Sequence, residues 1–249
     1  MTTLRSSTAR AAARRVAATG LEPVAVGVWT LRGGVPRTMN AYLIQDEGGG
    51  VTLFDTGTRS MAGALREAAE SLGGINRIVL SHAHVDHRGG AAALGGEVIV
   101  HAAERADAEG DAGRHYMHLE RLRVPARWAY PSFQRLWDGG PVRVTGTVEE
   151  DEEVSAFRVV LLPGHAPGQI GLFRERDGLA LAADAFTTLD VETGRRGRPQ
   201  RPHAAFNHDD ELARASLRKL AALEPRAAWN GHGDPVEGDV RAQLTKAAG

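Results

Sequence analysis

Apolar positions recur along this chain in two rhythms, short runs of period two and longer segments of period near 3.6. The short runs predict strands over residues 24–30, 39–45 and 51–54, with Gly33-Gly34 and Gly48-Gly49-Gly50 as turns between them. Helical spacing follows over 59–72, where Met61, Leu65, Ala68, Ala69 and Leu72 share one face. A buried strand is expected at 77–80, an Ala-rich helix at 88–94, a strand at 97–100 and a helix after His101. Strands resume at 142–144, 157–162, 169–173 and 179–182. A helix is expected over 209–223 with Asn207 as its candidate N-cap, then a strand at 227–229 and a last helix from 236. Strands in both halves with helices between them predict an α/β sandwich of two or four layers.

Residues 105–140 break this pattern. They hold two of the three tyrosines and two of the four tryptophans, which marks a helical aromatic insertion or cap. The remainder from 21 to 249 is expected to form a single domain. Residues 1–20 carry Arg5, Arg10, Arg14 and Arg15, are rich in Ser, Thr and Ala, and lack the apolar region of a secretory signal. A flexible N-terminal segment and a cytoplasmic location are the expectations.

Composition narrows the chemistry. A net charge of −1 offers no field for nucleic acid, and no apolar run reaches the length of a membrane span. The chain has no cysteine, so disulfides, thiolate nucleophiles and Cys-bound zinc are excluded. No Gly-x-Ser-x-Gly elbow is present either.

The most informative run is Ser81-His82-Ala83-His84-Val85-Asp86-His87, directly after the apolar stretch 77–80. Three imidazoles and a carboxylate form a donor set suited to Zn²⁺ and other borderline first-row metals. In extended chain His82 and His84 point the same way, while Asp86 and His87 fall where the next helix begins. A solvated His-rich turn is the competing reading. Three further candidates end apolar strands in the same manner: His165 after Pro163-Gly164, Asp184 after Ala182-Ala183, and His232 after Asn230-Gly231. Strand ends along one edge of a sandwich converge in space, and ligand sites favour such edges.

These motifs, with Phe54-Asp55-Thr56-Gly57, resemble the metallo-β-lactamase-fold metallo-hydrolase superfamily in order and spacing, over roughly residues 22–245. Its glyoxalase II and lactonase-like branch is the most similar. The resemblance implies an α/β fold, a four-layer αββα sandwich with metals at one edge. It implies that His82, His84 and His165 hold a first metal and Asp86, His87 and His232 a second, with Asp184 bridging. Asp55 then steadies the ligand loop, and Asp86 and Asp184 are the catalytic carboxylates. The implied cofactors are two Zn²⁺ ions, with Fe, Mn or Co as other first-row options. The implied activity is hydrolysis of an ester, thioester or lactone by metal-activated water. Three alternatives stay open: a persulfide dioxygenase using one iron, a β-lactamase, and a catalytically silent metal-binding module.

A small-molecule substrate is expected, with no nucleic acid and no membrane partner. Tyr116, Met117, Trp128, Tyr130, Phe133 and Trp137 are candidate walls of its pocket, with Tyr116 or Tyr130 as donor to a substrate carbonyl. The same aromatics equally suit packing onto the sandwich or a homodimer seam. His115 and His118, without carboxylate partners in sequence, read as surface residues. The Arg-rich stretch 195–201 is either a solvated loop or an arm reaching over the metal edge, and Thr187, Thr188 and His203 are candidates for its mouth.

Overall fold

In the computed structural model, residues 20–34 and 38–249 are described. The expected flexible segment, residues 1–20, lies outside the described residues but for Gly20.

Period-two patterning produces two sheets. The first runs in chain order: β1 (Leu21–Ala25), β2 (Val28–Gly33), β3 (Met39–Gln45), β4 (Val51–Phe54), β5 (Ile75–Val79), β6 (Val98–Val100) and β7 (Gly146–Thr147). Pairing is antiparallel from β1 to β4 and parallel from β4 to β7. The second sheet draws on β8 (Glu153–Val154), β9 (Phe157–Leu161), β10 (Ile170–Arg174), β11 (Leu179–Leu181), β14 (Ala227–Trp229) and β15 (Val236–Glu237), in the order β15-β14-β11-β10-β9-β8. A separate ribbon pairs β12 (Thr187–Leu189) with β13 (Arg196–Gln200). The helices are α1 (Ala62–Ser71), α2 (Val85–Arg88), α3 (Ala91–Leu94), α4 (Arg105–Ala108), α5 (Val124–Trp137), α6 (Asp210–Ala222) and α7 (Val240–Ala248).

Both faces of the central strands are buried, because each sheet has an apolar neighbour on either side. On β3, Ala41 and Leu43 join Leu53, Leu65 and Ala69 beneath α1, while Tyr42 and Ile44 face Val159, Ile170, Leu172 and Trp229 of the second sheet. On β9 the neighbouring Val160 turns the other way, into a cluster with Leu217 and Leu220 of α6 and Leu244 of α7. Three apolar layers therefore separate four structural layers: the αββα sandwich. No helix among the described residues is long and apolar enough to cross a membrane.

Several elements differ from the pattern's prediction. The run 24–30 is two strands, β1 and β2, because Gly27 at positive φ turns the chain into a hairpin. The Ala-rich helix divides into α2 and α3. The strand expected at 142–144 does not form: Val142 and Val144 are buried, but their N–H groups go to Ala108 O and Glu109 Oε1 instead of a ladder. The N-cap of α6 is Asp209, whose carboxylate accepts from Glu211 N and Leu212 N, so Asn207 is not the cap. The last helix starts at Val240, capped by Asp239, and the residues before it form β15. Residues 105–140 are mainly helical, with two 3₁₀ turns between α4 and α5.

Candidate metal centre

All seven candidate ligands come together at one edge of the sandwich, at the ends of strands of both sheets. His82, His84, Asp86 and His87 follow β5, and His165 follows β9. Asp184 follows β11, and His232 follows β14. They fall into three overlapping groups whose donor atoms lie within 4.8 Å of one another: His82, His84 and His165; His82, His87 and Asp184; Asp86, His87 and His232. His165 Nε2 lies 3.0 Å from His84 Nδ1, and His87 Nε2 lies 3.3 Å from His232 Nε2. Asp184 sits between the two sets. Its Oδ2 is 3.2 Å from His232 Nε2 and 3.5 Å from His165 Nε2, and its Oδ1 is 3.4 Å from His87 Nε2. Asp86 Oδ2 is 3.4 Å from His232 Nε2.

Each imidazole is anchored through the nitrogen that faces away from the centre. His87 Nδ1 donates to Asp55 Oδ2 at 2.7 Å, and His82 Nδ1 to Ser81 Oγ at 2.9 Å. His165 Nδ1 donates to Asn207 Oδ1 at 3.0 Å, His84 Nε2 to the Tyr116 hydroxyl at 2.9 Å, and His232 Nδ1 to Thr38 O at 3.3 Å. In the neutral form of each ring these bonds place the proton on the outer nitrogen, so that five nitrogens present their lone pairs inward.

The electrostatics follow from burial and from Asp184. Burial and the neighbouring imidazoles hold His82 and His84 well below the usual histidine range. Burial also lowers His165. Burial opposes a charge on His87 as well, yet the carboxylates of Asp184 and Asp55 raise it well above that range. His232 is raised in the same way by Asp184. Burial alone would raise Asp184, but His232 and His87 hold it well below the carboxylate range.

The donor set fits divalent cations. Lone pairs converge at close range, and His82 Nε2 and Asp184 Oδ1 are buried with no hydrogen-bond partner. An unmet buried polar atom costs about 1–3 kcal/mol, so such a centre is destabilised unless a cation fills it. The backbone leaves room for one. A Cβ at Gly231 would collide with Asp184 Oδ1 and come within 2.6 Å of His87 Cε1.

Asp55 organises the loop from beneath. Its backbone is left-handed, with φ of 63°, at the end of β4. Its Oδ1 accepts Ser81 N at 2.7 Å, and its Oδ2 accepts both Ser81 Oγ and His87 Nδ1 at 2.7 Å. Thr56 adds a second tie, its N–H and hydroxyl both donating to His87 O at 2.8 Å. Asp55→Asn keeps the shape but presents an amino group to at least one of these donors. It is expected to weaken cation binding about 10- to 100-fold with the fold retained. Chelator-competition titration beside a melting curve measures this, and wild-type affinity in the variant would reduce Asp55 to a strand-end turn.

A cavity of about 850 Å³ opens over the centre and is lined by His84, Asp86, His165, Asp184 and His232. Its opposite wall is the inner face of α5, with Ala126, Tyr130, Phe133, Leu136 and Trp137, together with Leu189, Val191 and Phe206. Tyr130 packs against Phe206 and Trp137, and Phe133 stacks on Trp137.

Three expected wall residues lie elsewhere. Tyr116 is 8% exposed and does not line the cavity, because its ring is folded beneath His84 with the hydroxyl on His84 Nε2. Trp128 is 76% exposed, on the face of α5 turned away from the cavity. Met117 packs with Leu122 and Phe206 and accepts from Gln134. Thr187 and His203 line the mouth, whereas the Thr188 hydroxyl is engaged with Asp234. Most of the Arg-rich stretch is exposed and forms β13, and Arg196 pairs with Asp234. His115 is exposed and His118 half-buried at the surface, and both have carboxylate partners after all, Asp111 and Glu120 at 3.3 and 3.1 Å. Sequence reasoning missed the support that Ser81 and Asn207 give to His82 and His165.

The sequence model of the metallo-beta-lactamase superfamily matches residues 34–232. The chain belongs to that superfamily. Among its relatives are two proteins of Bacillus subtilis (strain 168). The probable metallo-hydrolase YflN is 29% identical over 239 residues, covering 84% of this chain and 86% of that protein. The probable metallo-hydrolase YybB is 27% identical over 200 residues, covering 80% and 82%. Among solved structures, a metallo-beta-lactamase family protein from Thermus thermophilus superposes with a TM-score of 0.64 at 28% identity, over 90% of this chain and 79% of that one. The superfamily's fold is the αββα sandwich described above, and the histidines and aspartates of this chain meet at one edge of it.

Proposed function

We propose that this protein is a hydrolase that binds two divalent cations, zinc foremost, and cleaves an ester, thioester or lactone of a small molecule. The single observation that carries the reading is the convergence of five anchored, inward-facing imidazoles with Asp86 and Asp184 at the floor of an apolar-walled cavity. The metallo-hydrolase relatives support the same reaction class.

In this reading His82, His84 and His165 would hold one cation and Asp86, His87 and His232 the other, with Asp184 placed between the two sets. Cations held there would supply Lewis acidity, polarising the acyl carbonyl and making a nearby water easier to deprotonate. The chain's own groups then do the rest. Asp86, at the cavity wall, accepts the proton of the attacking water and passes it to the departing oxygen or sulfur. A bond from water oxygen to the acyl carbon forms, and the acyl–oxygen or acyl–sulfur bond breaks. Tyr130 is half-buried on the cap helix. Desolvation and the charges of Asp86 and Asp184 hold it protonated, so its hydroxyl is a hydrogen-bond donor for the developing oxyanion. The face of α5 takes the apolar part of the substrate.

The test is metal analysis of the purified protein together with a panel of esters, thioesters, lactones and a chromogenic β-lactam. Two equivalents of zinc or a similar metal with turnover of a carboxylic ester, thioester or lactone is the expected result. One tightly held iron with oxygen consumption would replace this reading with the dioxygenase. Cleavage of the β-lactam alone would make the protein a β-lactamase, and metal binding with no turnover a silent module.

A further inference from the structure

Glu104 lies outside every motif considered so far, yet it is 0% exposed. It ends the 3₁₀ turn Ala102–Glu104 that follows β6. A buried carboxylate loses several kcal/mol of hydration, and here no cation offsets it among the described residues. What meets it instead is backbone. Glu104 Oε2 accepts the N–H of Ala83 at 2.8 Å, and Oε1 accepts the N–H of Gly168 at 2.7 Å. Burial and the charge of Asp107 push its acid up to about 7, against the pull of these two donors.

The identity of the two partners is the point. Ala83 stands between His82 and His84, and Gly168 is three residues beyond His165. The loops come from different sheets, one after β5 and the other after β9. We propose that Glu104 is a positioning residue: its carboxylate fastens the His82–His84 loop to the His165 loop and so sets the spacing of their three inward nitrogens. The contact is built for close approach. A Cβ at Gly168 would press on His101 Nδ1, Ala103 Cβ and Glu104 Cγ, so only glycine lets this loop reach the carboxylate. A carboxylate is required because both oxygens accept. A glutamine would turn an amino group towards one of the two N–H donors.

The inference rests on the reading of this cluster as a cation site and is tested with Co²⁺ on the full chain. Glu104→Gln should weaken binding of one cobalt equivalent about 10- to 100-fold and change its visible absorption spectrum. Gly168→Ala, which pushes the loop away from Glu104, should act in the same direction and serves if Glu104→Gln does not fold. Leu244→Ala, a core truncation on α7, provides a control of comparable melting temperature and should bind cobalt as the wild type does. Wild-type affinity and spectrum in Glu104→Gln would overturn the proposal, as would an equal loss in Leu244→Ala. A wild type that binds cobalt but cleaves nothing in the panel would defeat the hydrolase reading and leave this one standing. A wild type that binds no cobalt would defeat both.

Discussion

Replacing His84 with alanine will reduce turnover by at least about a thousandfold while the protein stays folded. His84 Nδ1 is 3.0 Å from His165 Nε2, and its other nitrogen is fixed by Tyr116, so no neighbouring group can move into its place. The lost imidazole was buried and held uncharged, with one side open to the cluster, so its removal relieves crowding among lone pairs as well as leaving a small void. Melting is therefore expected to change by a few degrees only, since about 1 kcal/mol corresponds to roughly 2–4 °C in a chain of this size. Bound metal should fall by one equivalent. Circular dichroism, metal analysis and kcat/KM on the best substrate of the panel measure the three quantities. Full metal content with kcat/KM within about tenfold of wild type would remove His84 from the centre.

The second large effect is on stability. Arg88, beside the ligand loop, is 1% exposed, and its guanidinium forks across the carbonyls of Asp107, Ala108 and Gly110 at 2.7, 2.6 and 3.1 Å. It also reaches Asp138 Oδ1 at 3.5 Å, whose other oxygen is held by Arg114 at 2.6 Å. Arg88→Leu takes a buried charged donor from three carbonyls, although Asp107 O keeps Ala112 N and Ala108 O keeps Val142 N, and it leaves Asp138 to Arg114 alone, which costs about 2–4 kcal/mol. A fall in melting temperature of roughly 10 °C is expected. Arg88→Lys should recover little, because one ammonium cannot span three separated carbonyls. Thermal denaturation of both variants decides it, and a melt within about 2 °C of wild type for Arg88→Leu would show that the insertion is anchored by other contacts.

The ligands were legible because each is a local signal. Four donors in six residues after an apolar strand need no tertiary information, and His165, Asp184 and His232 each end a strand of the same kind. Their supports were less legible. Asn207 looks like a helix cap, and Asn and Asp rank alike at that position. Only the fold shows that Asp209 caps α6 while Asn207 turns to His165. Tyr116 meets His84 across 32 residues of chain, a contact with no periodic signature. Glu104 gives no sign of its burial, since its neighbours Ala103 and Arg105 belong to an ordinary polar turn. The valines at 142 and 144 alternate as a strand does, and both are buried. What the alternation cannot reveal is that the donors beside them are taken by the insertion.

The cap helix α5 has one consequence for how such a protein changes over generations. Gln134 is its only buried residue, and apart from Trp137, which packs against the layer beneath α1, its apolar residues look into the cavity or out to solvent. Exchanges at Phe133, Leu136 or Ala126 thus alter the shape offered to an incoming molecule without loosening the scaffold that aims the imidazoles. Selection can retune molecular preference on this helix alone, leaving the reaction centre as inherited.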